Sequence, residues 1–256
     1  MSTLLLIAHP GHELRVLQWV ALNRPEVVML THGDGSIGQP RLADSLAVLT
    51  ALGVRLRADW ISAVSDQAIY QALLGQGPSP LDGWLERLSE RALAAGVTTV
   101  VADEAEGYNP THELCRVLAN RLCERLRRGG HEVDNLEVPL VGHPCDPARR
   151  AQMRVEVTLS PAQAAWKIGQ MCDYARRCSP VLEAEVRKML DDFGAEAFAT
   201  ECLYAARRTV YEDDRLPDEK PAFERFGEAR HAAGIYPHVI RAEHLRQLVR
   251  QMHVAR

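Results

Sequence analysis

LLLIAHPGHELR, residues 4 to 15, is the stretch from which the rest of the chain can be read. Residues 4 to 8 form an uncharged apolar run of strand length, which stops on His9 and His12 with Pro10 and Gly11 between them. From 12 to 22 apolar residues recur at helical spacing, so the stretch reads as a buried strand, a turn and a helix start. The pattern then repeats. Residues 26–31 read as a strand, 41–52 as a helix stopped by Gly53, 54–60 as a strand, 81–95 as a helix stopped by Gly96, 97–102 as a strand and 111–128 as a helix before Gly129 and Gly130. Strands alternating with helices of this length require crossover connections, hence a mostly parallel sheet covered on both faces. The expected fold is α/β, a Rossmann-like three-layer sandwich.

The second half is mostly helical. Ser160, Pro161 and Gln163 supply an N-cap, a first-turn proline and a capping-box partner for a helix reaching about residue 177, and Ser179 with Pro180 opens another. Residues 204–237 lose periodicity and gain charge and proline, before a last amphipathic helix from 242 to about 254. This divides the chain into an α/β domain, 1–202, and a C-terminal helical extension, 203–256, packed on it.

With 256 residues, 46% of them apolar, the chain can bury a full core. A net charge of −4 with both signs interspersed gives no footprint for nucleic acid or an anionic membrane surface. No run approaches the ~20 apolar residues of a membrane span, and no signal segment precedes the first strand, so the expected location is cytoplasmic. The six cysteines show no C-x-x-C pair and read as reduced, mostly buried thiols.

In a sheet of this class ligands bind beyond the carboxyl ends of the strands. His9 and His12 stand there after the first strand. VVADEAEGYNPTHELCR, residues 100 to 116, repeats the layout, with an apolar strand, a loop holding glycine and proline, and His112 at a helix start. Three histidines from two strand-end loops are a donor set for zinc that leaves one tetrahedral position open.

These stretches resemble a known family. IAHPGHE is similar to the A-H-P-D-D-E motif, and GYNPTHE to the later H-P-D-H motif, of the LmbE-like, PIG-L type zinc-dependent de-N-acetylases. LTHGDGSIG, RLADSLAVLTALGV, SDQAIY, AAWKIGQMCDYARRCS and FATECL resemble, in order, its T-x-G loop, arginine helix, aspartate after the third strand, lysine-and-tyrosine helix and late Phe and Glu pattern. The likeness runs from residue 1 to about 201. It implies that His9, His12 and His112 are the zinc ligands, with His12 replacing an aspartate. It also implies that Arg41 and Asp66 face the substrate, and that Asn109 takes the place of the histidine thought to stabilise the oxyanion. The family's general base falls on Gly11, which can do no acid or base work. The nearest carboxylates that could serve are Glu13, Asp34, Asp103, Glu104 and Glu106. Glu106, in the loop of His112, is the first choice, Asp103 the next, and Glu13 reads as a helix-start acid facing free backbone amides. Lys167 and Tyr174 read as packing their helix on the sheet.

The expected function is a zinc-dependent amide hydrolase acting on an N-acylated, sugar-like small molecule or glycoconjugate. The alternatives are a metal- or sugar-binding protein without deacetylase activity, or one running a different zinc-assisted reaction. A homo-oligomer is compatible with this sequence.

Overall fold

The computed structural model describes residues 2–35 and 38–252. Seven strands form one sheet in the order β3-β2-β1-β4-β5-β7-β6. They are β1 (Ser2–Ile7), β2 (Glu26–Met29), β3 (Arg55–Leu56), β4 (Val97–Asp103), β5 (Asp134–Val138), β6 (Met153–Thr158) and β7 (Thr200–Ala205). The first five run parallel. Strand β7 pairs antiparallel with both β5 and β6. This is the mostly parallel α/β sandwich expected.

The layers follow from the period of two along β1. Leu4, Leu6 and Ala8 pack under α3 (Asp66–Leu73), α4 (Leu81–Ala94), α5 (Pro110–Arg128) and α9 (Ala242–Gln251). Leu5 and Ile7 point the other way, with Val16, Trp19, Val20 and Leu49 from the side of α1 (Leu17–Asn23) and α2 (Leu42–Ala51). A third cluster, including Leu14, Leu17, Met171, Tyr174 and Phe198, seats α6 (Pro161–Cys178) beside α1, and half-buried residues of α7 (Pro180–Phe193) lean on it.

Several elements differ from expectation. The helix after His12 begins as a 3₁₀ turn, His12–Val16, and becomes α-helical only at Leu17. The third strand is two residues long. β5, β6, α3 and α8 (Ala222–Ala232) were not anticipated, and β7 crosses the division placed at 202/203. That boundary therefore does not separate structural units. Phe223, Leu245, Leu248 and Val249 lie in the same core as β1. The last helix ends at Gln251 with Met252 as its C-cap, and residues 253 and 254, expected to continue it, lie outside those described. The cysteine expectation also needs correction. Cys145 and Cys202 are joined in a disulfide, while Cys115, Cys123, Cys172 and Cys178 are free. The loop after β5 happens to bring Cys145 to β7, a proximity that spacing along the chain does not encode.

Among the described residues no helix is long and apolar enough to cross a membrane.

Candidate functional site

The chain leaves β1 for β2 on one side, and later returns to lay β4 on the other side of β1. A crevice opens at such a switch point, beyond the carboxyl ends of the two strands. Leu6 pairs with Ala102, so the loops after β1 and β4 emerge side by side. Gly11 makes the first loop possible, because its φ of 103° lies where a residue with a Cβ is strained. Asn109 makes the second, capping α5 by accepting the Thr111 amide at 2.8 Å with Pro110 in the first turn.

These loops bring the three histidines together. Ring centroids are 5.3 Å apart for His9 and His12, 5.2 Å for His9 and His112, and 4.6 Å for His12 and His112. The hydrogen bonds behind the rings fix which nitrogen faces the cluster. Thr31 Oγ1 donates to the Ala8 carbonyl (3.1 Å), so it accepts from His9 Nδ1 (2.8 Å), leaving Nε2 bare. Asp66 Oδ1 lies 3.2 Å from the same Nδ1. His12 Nδ1 donates to Asp103 Oδ2 at 2.9 Å, which leaves its Nε2 bare as well. His9 Nε2 and His112 Nδ1 are both buried without a hydrogen-bond partner. Burial, then the neighbouring His12 and His9, push the His112 pKa well below its ordinary value, so its imidazole is neutral, the form that ligates metals. Among the described residues no group of three or more histidine, cysteine or carboxylate side chains is arranged so that it could hold a metal ion. The three imidazoles are neighbours with ligand-type nitrogens rather than a completed coordination shell. In donor type, and in the carboxylate or hydroxyl held behind two of the rings, they are the kinds of group that zinc takes as ligands.

The carboxylates occupy other posts. Asp103, fully buried, accepts the Ala8 amide (2.7 Å) and orients His12. Glu106 accepts the amides of Leu140 (2.8 Å), Val141 (2.9 Å) and Gly142 (2.6 Å), so both its oxygens clamp the loop after β5. Glu104 is bound by Arg149 and Arg207. Asp34 accepts the Asp66 amide at 2.8 Å. Asp66 accepts from Gly35 and stands behind His9 rather than facing outward. Burial pushes its carboxyl up, but the His9 contacts, Thr31 and the Gly35 amide outweigh that and hold it below the usual range. Glu13 is fully buried. One oxygen accepts the Gly11 amide (2.8 Å), and the other is unpartnered. Burial raises its pKa against the lowering effect of Ser45 and the local amides.

A cavity of about 200 Å³ opens on His12 and His112, with Arg41 and Tyr174 in its wall. Asn109 is not part of that wall. Its oxygen is spent on its own helix, and its amide faces the Tyr70 hydroxyl. Arg41 packs over Gly33, and its Nε is buried without a partner. A Cβ at Gly11 would come within 2.9 Å of Tyr174 Cε1, so the tyrosine ring fills the space beside the position of the missing base. The tyrosine hydroxyl lies 3.2 Å from Ser45 Oγ. Lys167 is buried, with Nζ 2.9 Å from Glu201 and donating to the Arg15 carbonyl at 2.7 Å. His32, His143, His231, His238 and His244 are half-buried or exposed, and none joins the cluster; His253 lies outside the described residues. A larger hollow of about 690 Å³ sits at the opposite, amino end of β1, β4 and β5 and contains none of the three histidines.

The apolar part of the wall, contributed by α6 and α7, was not anticipated from the sequence. Its signal was the apolar spacing of Leu182, Val186 and Met189 along α7.

Comparison with known proteins adds no match: no family model, curated protein or solved structure matches this chain.

Proposed function

We propose that this chain is a zinc-dependent amide hydrolase acting on an N-acylated, sugar-like small molecule or glycoconjugate, as its resemblance to the LmbE-like, PIG-L type de-N-acetylases implies. The observation that carries this reading is the meeting of His9, His12 and His112 at the switch point, with His9 Nε2 and His112 Nδ1 buried and unpartnered. These three residues would hold the metal, oriented by Thr31 and Asp66 behind His9 and by Asp103 behind His12. Zinc, when bound, would supply Lewis acidity toward the amide carbonyl and lower the pKa of water. Arg41, in the cavity wall, would hold the polar part of the substrate. The proton-carrying role expected of Glu106 passes to Glu13. Glu106 has both oxygens spent on backbone amides; Glu13 and Asp103 each keep a buried, unpartnered oxygen, but Asp103 already orients His12, which leaves Glu13, directly after His12 in the chain.

One observation favours the non-hydrolytic reading. The position of the family's base is a glycine, and the Tyr174 ring stands against it, so the site is also built as a binding pocket would be. The Cys145–Cys202 disulfide favours an oxidising compartment over the expected cytoplasm.

Amine release from N-acetylglucosamine by zinc-loaded protein separates the two readings. Hydrolysis predicts turnover that falls roughly 10² to 10⁴-fold in Glu13→Gln and little in Glu106→Gln, at equal zinc content. Zinc binding without turnover on any N-acylated amino sugar establishes the binding protein instead. Absence of bound zinc in the wild type, or its retention in the His9→Ala, His112→Ala double variant, overturns both.

A further inference from the structure

The helix α7 carries apolar residues at 182, 186 and 189, the spacing of one helical face, yet none of its residues is fully buried. An amphipathic helix normally buries that stripe against its neighbour. Leu182, Val186 and Met189 are packed only partly against the third cluster, and they also line the cavity that ends on His12 and His112, together with Met171 of α6, Leu14 of the first turn and Val141 of the loop after β5. Across the mouth, the Tyr108 hydroxyl donates to Glu185 at 2.8 Å and ties α7 to the loop that precedes His112. Glu185, Lys188 and Asp192 mark the outer rim.

Resting on the hydrolase reading above, we propose that this chamber receives the acyl group of the substrate, and that the group is a hydrocarbon chain longer than an acetyl and of at most about six carbons. The cavity measures about 200 Å³ from the histidines and Arg41 to α7, and one water-sized group takes about 30 Å³, so it holds at most about six methylene-sized groups, the amide included. A sugar ring is the wrong occupant for this end. Its hydroxyls would be buried largely against leucine, valine and methionine, and Arg15 in that wall already spends its guanidinium on the Pro139 and Gly142 carbonyls, whereas methylenes gain from the same burial. The polar half of the substrate belongs on the side of Arg41, whose buried Nε has no partner in the protein. Continuity with the histidine cluster sets the polarity of binding: the amide lies at the imidazoles, the acyl chain runs under α7, and the amine portion points out past Arg41.

The test is a chain-length series of N-acetyl-, N-butanoyl-, N-hexanoyl- and N-decanoyl-glucosamine, measured both as amine release and as calorimetric binding to zinc-loaded and metal-free protein. Affinity should rise about threefold to fourfold per added methylene up to hexanoyl and stop rising by decanoyl. Val186→Trp, which fills the chamber, should flatten the series, and Leu182→Ala, which enlarges it, should move the optimum to a longer chain. A flat series, tighter binding of acetyl than of hexanoyl, or no binding by any member overturns the proposal. Chain-length-dependent binding without amine release upholds the chamber and overturns hydrolysis alone. Release of acetyl and hexanoyl at equal rate and affinity upholds hydrolysis and overturns the chamber.

Discussion

A side chain at position 11 would have to enter space that the Tyr174 ring already fills, on a backbone whose φ of 103° suits only glycine. Restoring the carboxylate by Gly11→Asp should therefore give no gain in turnover, and should cost about 1–3 kcal/mol in denaturant unfolding through backbone strain and overpacking. Adding Tyr174→Ala should relieve the packing part and leave the strain. Asp103 tests the opposite kind of position. It orients His12, so Asp103→Asn should lower zinc affinity about 10 to 100-fold in a chelator competition titration. The histidines were legible in the sequence because strand-end spacing alone brings them to one crevice. The jobs of the acids were not. Glu106 holds amides 34 to 36 residues away, and Asp103 meets Ala8 and His12 more than 90 residues away, pairings with no local trace.

Elements whose ends are satisfied locally could be read from the sequence. Helix α6 starts at the Ser160–Gln163 capping box and α7 at the Ser179 cap, both where expected. Helix α1 has no such signal, because Val16 before it makes no side-chain cap. Its first amides, Gln18 and Trp19, are taken by the Glu201 carboxylate at 3.0 and 2.7 Å, from the far end of the chain. Glu201 also pairs with buried Lys167. Glu201→Ala should thus uncap α1 and strand a buried ammonium group, lowering stability by about 3–5 kcal/mol in a denaturant titration. Glu201→Gln should retain part of the capping and lose less. Strand β6 did carry a signal, the alternation of Met153, Val155 and Val157 with outward Arg154, Glu156 and Thr158. Helix α8 was hidden by its charge, since only Phe223, Glu224 and Gly227 are buried along its length.

At the scale of the molecule, the C-terminal residues are part of the sheet and core rather than an appendage. A chain cut after Cys202 loses half of β7 together with α8 and α9, and it should yield no cooperative unfolding transition by circular dichroism. The fold class was readable from alternating periodicity, while the late return of β7 between β5 and β6 was not, because strand order is decided by tertiary packing. The disulfide is checked by counting thiols in denaturant. Four should react before reduction and six after, in agreement with the one bonded pair.

The insertion of β7 also sets a timetable during synthesis. The five parallel strands are complete once Val138 has been made, but the neighbour that covers β5 and that is, among the described residues, the sole partner of β6 starts at Thr200, about 60 residues later. At about 5–20 residues per second the ribosome needs roughly 3 to 12 seconds to deliver it. Throughout that interval a nascent chain carries an open strand edge, joined, once Thr158 has been made, by an unpaired β6, the exposure on which intermolecular strand pairing feeds. Arrested chains ending between 160 and 195 should therefore recruit chaperones more strongly than chains extended past 205.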